Sequence, residues 1–195
     1  MTSRTGILGF YINQNDCMGC RTCQLACKDK NNLPVGILFR HVKSFETGVF
    51  PTPGVYHYPG TCNHCISAAC VLHCPTGAMY KADDGTTQHD DTICIGCKKC
   101  MENCPYEVPQ FFEDTKITGK CNFCIDLREA GGNPACVDAC RNRCLEWGDY
   151  DALVAAHPEA VHDIAVLPDS SITLPNTLIS ARASALTEDF REQVN

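Results

Sequence analysis

The sequence predicts a loop-rich α+β fold in which two small units, one inserted into the other, are followed by a tail. Sixteen of the 17 cysteines among 195 residues fall into four compact groups of four. The segments between groups are rich in proline and glycine (Pro34, Gly36, Gly48, Pro51, Pro53, Gly54, Pro59, Gly60), which reads as loops and short strands. After Trp147 no cysteine occurs, and the composition becomes that of an ordinary polar chain.

The elements follow in order. Ile7–Ile12 is a short apolar run and a candidate strand leading into the first group, Cys17, Cys20, Cys23 and Cys27. The second group is Cys62, Cys65, Cys70 and Cys74, the third Cys94, Cys97, Cys100 and Cys104. Between them, Met79–Lys81 and Thr86–His89 flank Asp83, Asp84 and Gly85, a hairpin signal. The fourth group is Cys121, Cys124, Cys136 and Cys140, with Cys144 left over. Short helices are expected to start within the cysteine loops and to end at each fourth cysteine, Pro75 and Pro105 stopping two of them. Asp149–His157 reads as one amphipathic helix.

Cysteine at this density is normally found in disulfide scaffolds or metal proteins. A protein of this length does not need staples to hold a core, and the count is odd, so disulfides are the weaker reading. Residues 1–16 lack the pattern of a secretory signal, which favours a reducing site of folding. The formal charge of −7 argues against a nucleic-acid partner. The longest apolar runs, Ile66–Leu72 and Ile164–Leu167, are too short to span a membrane.

The spacings decide which metal chemistry applies. C-x₂-C-x₂-C lets seven residues wrap one cubane iron–sulfur cluster, with backbone N–H groups aimed at sulfur. A fourth cysteine three residues on lies beyond that wrap and serves a neighbouring cluster in bacterial two-cluster ferredoxins, commonly with proline following. Groups one and three match this pattern, and group two is the variant C-x₂-C-x₄-C-x₃-C-P. Group four, C-x₂-C-x₁₁-C-x₃-C, resembles a zinc site if seen alone, since zinc sites use two C-x₂-C knuckles. Groups one and three do not, because three cysteines so close cannot all reach one tetrahedral ion without strain. Four [4Fe-4S] clusters are therefore expected.

Cys74 and Cys94 are only 20 positions apart, the layout of a compact two-cluster ferredoxin. Groups two and three then form an inserted inner unit, residues 55–105. Groups one and four pair around it as an outer unit, residues 1–54 and 106–150, leaving 151–195 as a tail that docks on a partner. With fourth cysteines exchanged, the expected ligand sets are Cys17, Cys20, Cys23 and Cys140; Cys27, Cys121, Cys124 and Cys136; Cys62, Cys65, Cys70 and Cys104; and Cys74, Cys94, Cys97 and Cys100. Sequential pairing, one with two and three with four, is the alternative.

Four stretches, GFYINQNDCMGCRTCQLACKDKNNL, CNHCISAACVLHCPTGAMYKADDG, CIGCKKCMENCPYEVPQF and KCNFCIDLREAGGNPACVDACRNRCLEWGDYDAL, together with the tail segment LPNTLISARA, resemble the iron–sulfur subunit of the dimethyl sulfoxide reductase family of molybdopterin oxidoreductases. The likeness spans residues 7–182. It implies an electron-transfer subunit, not catalytic alone. Such a subunit relays electrons between a quinol or other donor and a large molybdopterin-containing catalytic subunit. Within the family those complexes act on S-oxides or N-oxides, on sulfur or arsenic compounds, or dehydroxylate catechols. A membrane anchor subunit is a further partner the resemblance suggests. It also implies the nested pairing, with the cluster of Cys17, Cys20, Cys23 and Cys140 nearest the catalytic subunit. Some relatives carry tryptophan where this chain has Cys100, so a full cubane is expected there. The usual proline after the last ligand is Arg141 here. Localisation is expected to be cytoplasmic, or at the outer face of the cytoplasmic membrane if the protein is exported with a twin-arginine partner.

Other residues carry less. His64 reads as a surface or supporting residue, since its group already has four thiols. Lys98 and Lys99 suit either an acidic partner or plain solvation. Trp147 reads as packing, Cys144 as a buried spare thiol. Asp83, Asp84, Asp90 and Asp91 read as turn chemistry. Two other functions remain open from residues alone: a polyferredoxin-like carrier for a hydrogenase or formate dehydrogenase, and a cysteine-rich zinc interaction module.

Overall fold

The computed structural model describes residues 4–193. Its first half runs β1 (Leu8–Asn13), α1 (Thr22–Lys30), β2 (His41–Thr47), β3 (Gly54–Gly60), α2 (Ala69–Leu72), β4 (Met79–Lys81), β5 (Thr87–His89) and α3 (Lys99–Asn103). The second half runs β6 (Gln110–Phe111), β7 (Thr118–Gly119), α4 (Ile125–Glu129), α5 (Ala135–Asp138), β8 (Leu145–Asp149), α6 (Tyr150–Ala156), β9 (Thr177–Ser180) and β10 (Arg191–Gln193).

Strand β1 is central. It pairs antiparallel with β8 (Ile12 opposite Leu145) and parallel with β9 (Ile12 opposite Ile179). A central strand covered on both faces buries every residue of its middle, and Gly9 to Ile12 are all buried. Side chains alternate across it. Phe10 and Ile12 enter the main core with Val42, Phe45, Tyr56, Phe123 and Leu145, while Tyr11 faces a second core with Tyr150, Leu153 and Leu178. A second sheet has the order β10-β2-β3, and β4-β5 and β6-β7 are two-stranded.

The hairpin falls where the sequence put it, with Thr86 N–H and hydroxyl both donating to Asp84 Oδ1 in the turn. Helix α6 begins after Asp149, whose Oδ1 accepts from Ala152 N–H at 3.1 Å, and stops before His157-Pro158. Helices in the cysteine loops are shorter and less uniform than expected. Helix α1 overruns Cys27 by three residues, α2 and α3 stop short of the fourth cysteine, and group four uses two helices.

Residues beyond 150 fold back on the rest of the molecule. Asn176 N–H donates to Asn63 O, Asn176 Nδ2 to His64 O, and Ile66 and Ser67 N–H to Leu174 and Thr173 O. The tail therefore clasps the loop of group two as well as completing both three-stranded sheets.

Candidate iron–sulfur centre

Each cysteine loop is built on the same backbone device. The residue before the second cysteine has positive φ in all four groups: Gly19 (68°), His64 (45°), Gly96 (65°) and Phe123 (62°). The left-handed residue turns the chain so that N–H groups point back at sulfur, as Phe123 N–H does toward Cys121 Sγ at 3.4 Å. Glycine takes this conformation freely. At Gly96 nothing else fits, because an added Cβ would lie 2.0 Å from Lys116 O. His64 and Phe123 carry strain of about 1 kcal/mol or more each, held by the packing of their rings.

Helix contacts show which groups meet. Helix α1, carrying Cys23 and Cys27, packs on α5, carrying Cys136, and α2, carrying Cys70, packs on α3, carrying Cys100. Groups one and four are thus neighbours, as are two and three. Cys17, Cys20, Cys23 and Cys140 line one small cavity, joined by Cys144. Cys74 lines another with Cys94, Cys97 and Cys100, and no other cysteine of its own group lines that cavity. Cys27 interacts electrostatically with Cys121, Cys136 and Cys124, and both Cys65 and Cys70 with Cys104. All 17 cysteines are free thiols, and none forms a disulfide.

Exposure grades along this series. Cys27, Cys121, Cys124 and Cys136 are all buried, whereas Cys20 and Cys97 are exposed. Burial raises the thiol pKa values of Cys23, Cys70 and Cys124, each to about 11. Such thiols stay protonated near neutrality unless a cationic centre takes their charge. Cys74 goes the other way: burial opposes ionisation, but donors including Met79 N–H at 3.4 Å outweigh it. N–H donors aimed at sulfur, dry surroundings and groups of four thiols are the donor set a cubane cluster requires. The residues fit that group.

Cys144 lies within this site. Its Sγ is 3.3 Å from Cys140 Sγ, and its N–H donates to the same sulfur at 3.3 Å. Hydrogen bonding with Cys144 is the largest influence on Cys17, lowering its pKa to about 7, while the Cys144 thiol is driven up by the same contact.

His64 is not a surface residue. It is 1 % exposed, and Nδ1 accepts from Thr87 N–H at 3.0 Å, which puts its proton on Nε2. Burial and the charges of Lys120, Lys81 and Arg128 hold its pKa well below the usual histidine value, so it is neutral. Lys98 is not simply solvated either: its Nζ sits 3.8 Å from the Phe111 ring centroid, whereas Lys99 pairs with Glu102 on the surface. Trp147 packs edge-on to Phe123, and Arg141 is exposed. Asp84 is more than turn chemistry, since Oδ2 pairs with Arg128 Nη2 at 2.9 Å.

Sequence reasoning did not find Arg40 and Lys120. Both are buried, and both stand among the thiols. Lys120 Nζ donates to Thr87 O and to Cys121 O. A single basic residue in a loop gives no local sign of burial.

Residues 54–150 match the family described as 4Fe-4S dicluster domain. The sequence is 37 % identical to an anaerobic dimethyl sulfoxide reductase chain of Escherichia coli (strain K12), an alignment covering 91 % of this protein and 90 % of that one. It is 35 % identical to the arsenate respiratory reductase iron–sulfur subunit ArrB of Shewanella sp. (strain ANA-3), over 74 % and 82 % of the two proteins. A sulfite dehydrogenase subunit of Allochromatium vinosum is also 35 % identical, over 86 % and 72 %. Among the described residues no helix is long and apolar enough to cross a membrane.

Proposed function

The protein belongs to the family of iron–sulfur subunits of dimethyl sulfoxide reductase type, and from that premise we propose that it is an electron-transfer subunit carrying four [4Fe-4S] clusters in a nested order. It relays electrons between a quinol or other donor and a molybdopterin-containing catalytic subunit, and is not catalytic alone. The first cluster is held by Cys17, Cys20, Cys23 and Cys140, the second by Cys27, Cys121, Cys124 and Cys136. The third is held by Cys62, Cys65, Cys70 and Cys104, and the fourth by Cys74, Cys94, Cys97 and Cys100.

The observation that carries this reading is that Cys74 lines one cavity with Cys94, Cys97 and Cys100, which supports the exchange of fourth cysteines that a two-cluster unit needs. The packing of α1 on α5 and of α2 on α3 supports the nesting of residues 55–105 within 1–54 and 106–150. Each unit is then a ferredoxin-like two-cluster module.

When bound, each cluster supplies a one-electron centre. The protein's own work is to fix and insulate. Left-handed turns aim N–H donors at sulfur; the aromatic core keeps water from the second set; Cys20 and Cys97 leave the two end sets open to solvent. A series that is buried in the middle and exposed at both ends suits entry at one end and exit at the other. The tail, 151–195, offers its outward side to the catalytic subunit. A membrane anchor subunit completes the complex where quinol is the donor. The compartment follows the catalytic subunit: cytoplasmic, or the outer face of the cytoplasmic membrane where that partner carries a twin-arginine signal.

Anaerobic purification with metal analysis tests this reading. About sixteen iron atoms and as many acid-labile sulfides per chain are expected, four per cubane. Zinc without sulfide overturns it. A large subunit containing molybdenum should co-purify, and a hydrogenase subunit in its place would overturn the partner assignment.

A further inference from the structure

Arg40 is 1 % exposed, and no carboxylate pairs with it among the described residues. Its Nη1 donates to Pro59 O at 2.6 Å, and its guanidinium lies 5.1 Å from the centroid of the Phe10 ring. Nε and Nη2 are buried without an oxygen or nitrogen partner, and the group they meet is the Cys136 thiol. An orphaned guanidinium is costly, since a buried charge needs an opposite charge and its donors need acceptors. The groups around it are thiols. Cys23 belongs to the first ligand set, and Cys27, Cys121 and Cys136 to the second, and all four interact electrostatically with Arg40. Pro59, whose carbonyl Arg40 holds, lines the cavity of the first set, and Phe10 under the guanidinium stacks on Phe123 in the loop of the second. The guanidinium therefore stands between the first and second sets, with one edge anchored on the backbone and the other toward sulfur.

We propose that Arg40 is the shared counter-charge of the first and second clusters, its fixed positive charge and its sulfur-facing donors stabilising the reduced state of both. This rests on the cluster assignment above. A cluster core ligated by four thiolates is negative and becomes more so on reduction, so a buried cation beside it favours the added electron and raises the potential. Lysine at this position would keep the charge and lose the planar fork. The first and second clusters would then be tuned by one residue, whereas the third and fourth, whose ligands are not among these four sulfurs, would not.

The test is potentiometric titration, followed by EPR, of the protein purified anaerobically in its complex, as wild type, Arg40→Met and Arg40→Lys. Iron and sulfide are measured on each. Arg40→Met is expected to lower two of the four potentials, each by at least a tenfold change in the oxidised-to-reduced ratio, 59 mV for a one-electron couple. The other two should stay in place, and Arg40→Lys should recover most of the shift. Four unchanged potentials, or an equal shift of all four, would overturn the proposal. If Arg40→Met loses its clusters, Arg40→Lys decides. Retention of all four clusters by the lysine variant supports a charge role, and their loss from it too would assign Arg40 to packing and overturn the proposal. A wild-type protein without iron removes the cluster assignment itself, a result distinct from any of these.

Discussion

His64 and Phe123 occupy the same place in their cysteine loops, and their rings meet edge to face with centroids 5.0 Å apart. Phe123 also stacks on Phe10 at 4.0 Å, so these two left-handed turns, from groups two and four, are joined through one aromatic core. Truncating Phe123→Ala removes all of these contacts while leaving the strained backbone. A loss of about 3–5 kcal/mol is expected. The loaded protein should lose its visible iron–sulfur absorbance at a clearly lower temperature in a thermal ramp.

Gly96 and Gly19 make the contrasting case, where the turn tolerates no side chain. Gly96→Ala would drive Cβ against the Lys116 carbonyl, and Gly19→Ala would meet the His57 ring. A backbone carbonyl yields less than a side chain, so Gly96→Ala should be the more damaging. Iron content should fall by one cluster in Gly96→Ala and by less in Gly19→Ala. Equal retention in both would show that the loops adapt.

Cys144 and Cys140 are separable by the same assay. Cys140→Ala should cost one cluster if it removes a ligand of the first set as proposed, since it lines the same cavity as Cys17, Cys20 and Cys23. Cys144→Ala should keep all four clusters and alter only the spectrum and potential of the first, whose ligands Cys17 and Cys140 it contacts. The reverse pattern would make Cys144 the ligand.

Lys120 acts electrostatically on Cys62 and Cys70, proposed for the third set, and donates to the carbonyl of Cys121, proposed for the second. Lys120→Met should lower the third potential most, and the fourth not at all. EPR-monitored titration reads this directly. Removing the side chain also frees the acceptors at Thr87 O and Cys121 O, so some loss of stability should accompany the shift.

The Asp84–Arg128 pair gives a pH signature. Burial raises the Asp84 pKa, and donation from Thr86 and Arg128 more than offsets this, so its folded value lies below the ordinary one. A depressed folded value means the stabilisation is complete above the ordinary aspartate range, near 4, and is lost as pH falls through the folded value. Asp84→Asn should cost about 1–2 kcal/mol at neutral pH, after allowance for the partial exposure of Asp84. It should also flatten the acid limb of the stability curve, which urea titrations at pH 7 and at several values below pH 4 would compare.

The hairpin at Asp83–Gly85, the helix after Asp149 and the four thiol groups were legible because each is written in adjacent residues: a turn dipeptide, a cap, a spacing. What escaped was non-local. The parallel pairing of β1 with β9 joins residues more than 160 positions apart, and β9 carries no pattern naming its partner. The burial of His64 depends on Thr87, at the start of β5, and Asn176, just before β9, which both donate to it. Arg40 is buried by what folds around it, so only the assembled molecule reveals that the charge faces sulfur.

The flanking of β1 by β8 and β9 sets an order of assembly. As the polypeptide leaves the ribosome, the cysteines of residues 62–104 are all available before residue 121 is made, but the loop of group two is clasped only once residues 173–176 follow. The cysteines that open the sequence must wait for Cys140, and the sheet beside them waits for residues 177–180. The cavity shared by Cys17 and Cys140 is thus closed only after all the intervening residues have been made.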